Sequence, residues 1–137
     1  MIAQCTVPAE AAQLAVLNRF LRESWTAAGL APGGAASFEL ALEEIFMNIV
    51  MHGNRPGGTS RVEVALSLGP DAVTLAVEDD GPPFDPLSLP PPDLTANLED
   101  RRVGGLGVYL VREVMDEVNY ARIAGCNRLR MSKRLRD

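Results

Sequence analysis

The chain of 137 residues predicts an α+β fold: a two-layer α/β sandwich in which a mixed, mostly antiparallel sheet carries helices on one face. Three observations lead there. Strand-like stretches come in pairs split by turn residues, RVEVALSL with AVTLAVED and then DEVNYARIAG with NRLRMSKRLR. Before and between them run stretches with apolar residues at helical spacing. The length suits one core, and 47% hydrophobic with 23% charged residues is an ordinary globular balance. No internal repeat and no sign of a second domain interrupts it.

In chain order, IAQCTV reads as a short strand, and Pro8 is placed to open a helix at its first turn. Leu14, Leu17, Phe20, Leu21 and Trp25 give that helix its apolar side, and Gly29 with Gly33–Gly34 ends it. Ser37 is a candidate cap for a second helix running to about Met51, with His52-Gly53-Asn54 as the stop. RPGGTS is a turn. Val62, Val64, Leu66 and Leu68 alternate with polar neighbours along one strand, and the next strand is more uniformly apolar, as a central one is. The segment DGPPFDPLSLPPPDLTANLEDRRVGG is too long for an ordinary connection and reads as functional. LGVYLVREVMDEV forms a third helix with Val108, Leu110, Val111, Val114 and Met115 inward, and a hairpin closes the chain.

Charge and composition exclude several roles. A net charge of −5 argues against nucleic acid as the main partner, and the basic RLRMSKRLR reads as a strand with one solvated face. Cys5 and Cys126, far apart and in no CxxC pair, read as reduced structural thiols, and with a single histidine they make a poor zinc set. The first ten residues lack the pattern of a signal peptide, and no apolar run approaches a membrane span of about 20 residues. The expectation is a soluble, cytoplasmic protein without a membrane partner.

Three segments carry chemistry. On a wheel of about 100° per residue, Phe38, Leu42, Ile45 and Ile49 form the core stripe of the second helix. Glu44, Asn48 and His52 fall on its flank, one turn apart. In VEDDGPPFDP a strand ends in acids that point opposite ways and runs into Gly81, where the backbone can be approached closely. Gly104, Gly105 and Gly107 lead directly into a helix N-terminus, whose unpaired N–H groups and dipole suit phosphate oxygens. Each alone has an ordinary reading as a helix boundary, a turn or a hinge.

Their order and spacing resemble the nucleotide site of the GHKL, or Bergerat-fold, ATPases. In detail they resemble the stand-alone anti-sigma factor and serine-protein-kinase branch, where D-x-G-x-P-F-D-P commonly stands as Asp79 to Pro86 do here. GGLG…LV…MDEV and the closing N-R-L are similar too. The resemblance implies the histidine-kinase-like ATPase fold over residues 1–137, a single ATP-binding domain with a lid at about 85–103. It implies that Asn48 binds the Mg²⁺ that bridges the phosphates, that Asp79 accepts from the adenine amino group, and that Gly81 lets the base lie on the backbone. Gly104, Gly105, Leu106 and Gly107 would donate N–H groups to the phosphates, and Glu44 would be the catalytic base. His52 would sit beside the phosphates or cap its helix. A lid lysine is absent, leaving Arg101 or Arg102 as substitutes. The implied activity is an ATP-Mg-dependent serine/threonine protein kinase that binds a sigma factor or similar protein, phosphorylates a small antagonist, and acts as a homodimer. The alternative is a non-catalytic ATP-binding module that shapes a partner surface.

Overall fold

A computed structural model describes residues 2–54, 58–88 and 105–135. Its elements are β1 (Ala3–Pro8), α1 (Leu14–Ala27), α2 (Ala35–His52), β2 (Arg61–Leu68), β3 (Ala72–Asp79), α3 (Gly105–Val114), β4 (Glu117–Ile123) and β5 (Cys126–Arg134). Five strands form one sheet in the order β1-β2-β3-β5-β4, and the helices pack on one face. The two-layer α+β expectation holds.

All four described pairings are antiparallel, where the expectation allowed a mixed sheet. The connections explain this. Two helices between β1 and β2 return the chain reversed. One helix between β3 and β4 leaves those two strands parallel, but β5 folds back between them and is antiparallel to each.

Alternation decides which side chains meet the helices. Inward rows cross the sheet in register: Leu66–Leu75–Met131 and Val64–Val77–Leu129 are all buried. Arg128 and Arg130 lie on the other face, as expected of a strand with a solvated basic side. Against the inner rows α1 lays Leu17, Leu21 and Trp25, four residues apart, and α2 lays Phe38, Leu42, Ile45, Phe46 and Ile49. α2 packs on both α1 and α3, so more than a narrow stripe of it is covered.

Three local expectations change. Pro8 ends the edge strand β1 opposite Arg61 instead of opening a helix, a position where its missing N–H costs nothing. α2 starts at Ala35 without a side-chain cap, so Ser37 lies inside it and its hydroxyl accepts from Lys133 Nζ at 3.2 Å. α3 stops at Val114, because Val118 pairs with Met131 and sheet pairing outweighs the helical spacing of MDEV. The final hairpin turns through Ala124 and Gly125, both at positive φ (51° and 81°), the conformation of a primed turn.

Candidate functional site

At one end of the inner face the core row gives way to polar groups. Val62, Asp79 and Asn127 stand in register there, one row beyond Val64–Val77–Leu129. Asp79 and Asn127 are each 5% exposed. Above them passes the last half of α2, which brings Asn48. The crevice between has a volume of about 300 Å³ including its mouth. Ile45, Ile49, Val77 and Leu129 are its apolar walls, and Phe84, Pro86 and Tyr120 close its outer side. This mixture of apolar walls with a few converging polar groups is what a small-molecule site requires.

Asp79 is held by its surroundings. Its Oδ1 accepts from the Gly81 N–H at 2.9 Å and from Asn127 Nδ2 at 3.1 Å. Burial pushes its carboxyl above the usual carboxylate range; the Asn127 and Gly81 bonds and the Arg122 guanidinium pull it back, while Asp80 adds to the rise. Asp80 faces the other way and accepts from the Arg61 N–H at 2.7 Å, as strand alternation requires.

Asn127 joins the two halves of the site. Besides Asp79, its Nδ2 donates to the Pro82 carbonyl at 2.8 Å. Its Oδ1 accepts from the Phe84 N–H at 3.1 Å and from the Tyr120 hydroxyl at 2.6 Å. One side-chain amide thus fastens the turn after β3 to the final hairpin, and Arg122 adds a bond to the Gly81 carbonyl at 2.8 Å. Asn127 and Tyr120 had no assigned role in the sequence. A signal was present: Asn127 occupies the inward parity of Leu129 and Met131, where an uncharged polar residue needs a reason to be buried.

Asn48 is 6% exposed, and its Nδ2 has no hydrogen-bond partner among the described residues. Leaving such a group unsatisfied costs about 1–3 kcal/mol, and native structures keep few of them. Rotating the amide presents its oxygen instead, so the position offers either a donor to phosphate or an oxygen to a hard cation. The orphaned Asn48 amide is a donor set of one, which fits magnesium held chiefly by a nucleotide. An ion that keeps several waters and uses substrate phosphates needs only one protein oxygen.

Glu44 and His52 are less central. The Glu44 carboxylate rests against Gly107 in the first turn of α3, so close that a Cβ on Gly107 would collide with it. Burial raises the Glu44 carboxyl above its ordinary range, and neighbouring Glu43 adds to the rise. His52, exposed on the last turn of α2, lies over Phe84 with ring centroids 6.0 Å apart. Neither side chain lines the crevice.

The turn at Gly81 is clamped to the end of α2. A Cβ on Gly81 would strike the Gly53 carbonyl oxygen, to which Ser60 Oγ donates at 2.7 Å. Asn54 completes the clamp: its Oδ1 accepts from the Ser60 N–H at 2.9 Å and its Nδ2 donates to the Val50 carbonyl at 3.0 Å. The helix end therefore demands glycine at position 81, whatever binds in the crevice. Gly105 and Leu106 begin α3, whereas Gly104, Arg101, Arg102 and the lid from 89 onward lie outside the described residues.

A family model described as "Histidine kinase-like ATPase domain" matches residues 7–133. The chain belongs to that family. Its members' fold is the one expected from the GHKL resemblance, and ATP use is the family's general chemistry. Among curated relatives, the chain is similar to the serine/threonine-protein kinase BtrW of Bordetella bronchiseptica, 32% identical over 114 residues, covering 82% of this chain and 75% of that protein. It is also similar to the serine-protein kinase RsbW of Staphylococcus aureus, 25% identical over 124 residues, covering 87% of this chain and 78% of RsbW. Among the described residues no helix is long and apolar enough to cross a membrane.

Proposed function

We propose that this chain is a cytoplasmic, ATP-Mg-dependent serine/threonine protein kinase of the partner-switching kind. The single observation that carries the reading is the buried, unpartnered amide of Asn48 in a crevice whose other wall is the fixed carboxylate of Asp79. Asp79 holds one oxygen on Gly81 and Asn127, which orients the carboxylate toward an adenine amino group, and Ile45, Ile49 and Val77 flank the ring. Asn48 offers its amide oxygen to Mg²⁺. The ion, when bound, neutralises phosphate charge, the main requirement of phosphoryl transfer. Main-chain N–H groups of residues 104–107 receive the phosphates at the α3 N-terminus.

Glu44, one turn before Asn48, takes the proton of the attacking serine hydroxyl. Its carboxyl, raised by burial, is a better base for that step than a fully solvated one. The protein substrate is a small antagonist of a sigma-like regulator, and the working unit is a homodimer. The kinase names of the relatives support the phosphotransferase part of the reading. Labelled ATP, Mg²⁺ and the cognate antagonist test it. Wild type should yield phosphoserine, and Glu44→Gln should reduce transfer by about a hundredfold or more. Undiminished transfer by that variant removes Glu44 from the role.

One observation favours a second reading, a module that binds ATP without turning it over: the Glu44 carboxylate rests on Gly107 and not in the crevice. Tight ATP binding with no consumption in the presence of the partner would select it.

A further inference from the structure

The inner face of the sheet leaves the apolar pattern at both ends. At the end away from Asp79 the last row is Leu68–Val73–Lys133, three pairs along β3 from the Asp79–Asn127 row. Six residues of strand put these ends about 20 Å apart. Here the layers part, and a pocket of about 600 Å³ including its mouth opens between them. Trp25, Leu30, Phe38, Val73 and Leu135 line it together with Lys133. Trp25 is fixed by a bond from its Nε1 to the Ala31 carbonyl at 2.8 Å and by the Phe38 ring, 5.4 Å away between centroids. Leu68 and Leu135, 43% and 42% exposed, extend the apolar surface outward at this end.

Lys133 is the informative residue. It holds the inward position of Leu129 and Met131, so its charge stands between the layers beside aromatic rings. Its one described bond is to the Ser37 hydroxyl. Among the described residues no carboxylate lies within ion-pairing distance of Lys133, or of Arg134 at the same rim. Arg134 is exposed, and its backbone N–H donates to Asp116 Oδ2 at 2.7 Å, which leaves Lys133 as the cation without an acid partner among the described residues. In a chain of net charge −5, such a cation beside a concave apolar wall forms a complementary site for an anion with an apolar body.

We propose that this second pocket binds a small amphiphilic carboxylic acid, its chain against Trp25 and Phe38 and its carboxylate on Lys133. The site is separate from the nucleotide crevice and does not depend on the kinase reading. Decanoate is the probe, with decanamide as its neutral counterpart. The emission of Trp25, the chain's one tryptophan, reports binding, and calorimetry checks it. Decanoate should shift the emission saturably and bind at least about tenfold more tightly than decanamide, the worth of one hydrogen bond to a charged group. Lys133→Met keeps the apolar stem and should abolish that preference, while Lys133→Arg should retain it. Circular dichroism of both variants guards against a folding defect. The proposal is overturned if decanoate fails to bind by calorimetry, if decanamide binds equally well, if Lys133→Met keeps the preference, or if only a longer acidic-apolar peptide binds.

Discussion

Asn127 shows how much one buried amide can organise. It uses both donor and acceptor capacity on four partners from three segments, and Asp79 depends on it for orientation. Asn127→Ala should cost about 1–3 kcal/mol, because Asp79, Pro82 and the Phe84 N–H lose their partner in a dry place. Denaturant titration measures this, and affinity for an ATP analogue should fall at the same time. Stability unchanged with affinity lost would mean that the amide serves the ligand alone. The two raised carboxyls predict a pH dependence. Glu44 and Asp79 hold protons more tightly folded than unfolded, so their contribution is greatest below the ordinary carboxylate range and is lost as pH rises through their raised folded values. Glu44→Gln removes one such group. Relative to wild type, the variant's melting temperature should therefore be higher near neutral pH than near about pH 4. An equal difference at both pH values would contradict the burial effect on Glu44.

At the scale of elements, two glycines set how α2 meets its neighbours, and they differ in what blocks a side chain. At Gly81 the obstacle is the Gly53 backbone carbonyl, fixed by Ser60 and by the helix end. Gly81→Ala must push the turn away from α2 and should cost about 1–3 kcal/mol. At Gly107 the obstacle is the tip of the Glu44 side chain, which can swing. Gly107→Ala should leave stability within about 1 kcal/mol of wild type, helped by the better helix propensity of alanine. On the proposed role of Glu44 as base, it should nevertheless lower phosphotransfer by up to about a hundredfold through the displaced carboxylate. Thermal melts beside a transfer assay separate the two cases; a severe stability loss in Gly107→Ala would mean that Glu44 is locked in place.

For the whole molecule, one core supports both ends of the sandwich. Leu75 sits in β3 between Leu66 and Met131, fully buried. Leu75→Ala should cost about 2–5 kcal/mol, a large part of the roughly 5–15 kcal/mol that keeps a domain folded. Because α2 carries Phe38 at one pocket and Asn48 at the other, loosening the core should be felt at both. A shift of the denaturation midpoint with unchanged slope would show this as lost stability, whereas a changed slope would point to a loss of two-state unfolding.

Periodicity by itself determined the layers: apolar spacing marked both long helices, and alternation marked the buried side of β2, because burial imposes those periods directly. Motif order located Asn48 and Asp79, and the structure brings both into one crevice. What tertiary structure decided was every relation between segments distant in sequence. The uniformly antiparallel pairing followed from β5 folding back between β3 and β4, and the end of α3 at Val114 from pairing with β5. Asn127 joined Asp79 across 48 positions, Glu44 met Gly107, and Gly81 answered to the end of α2. Local spacing carries no information about such contacts, since each is set by which surfaces the packed layers bring within reach.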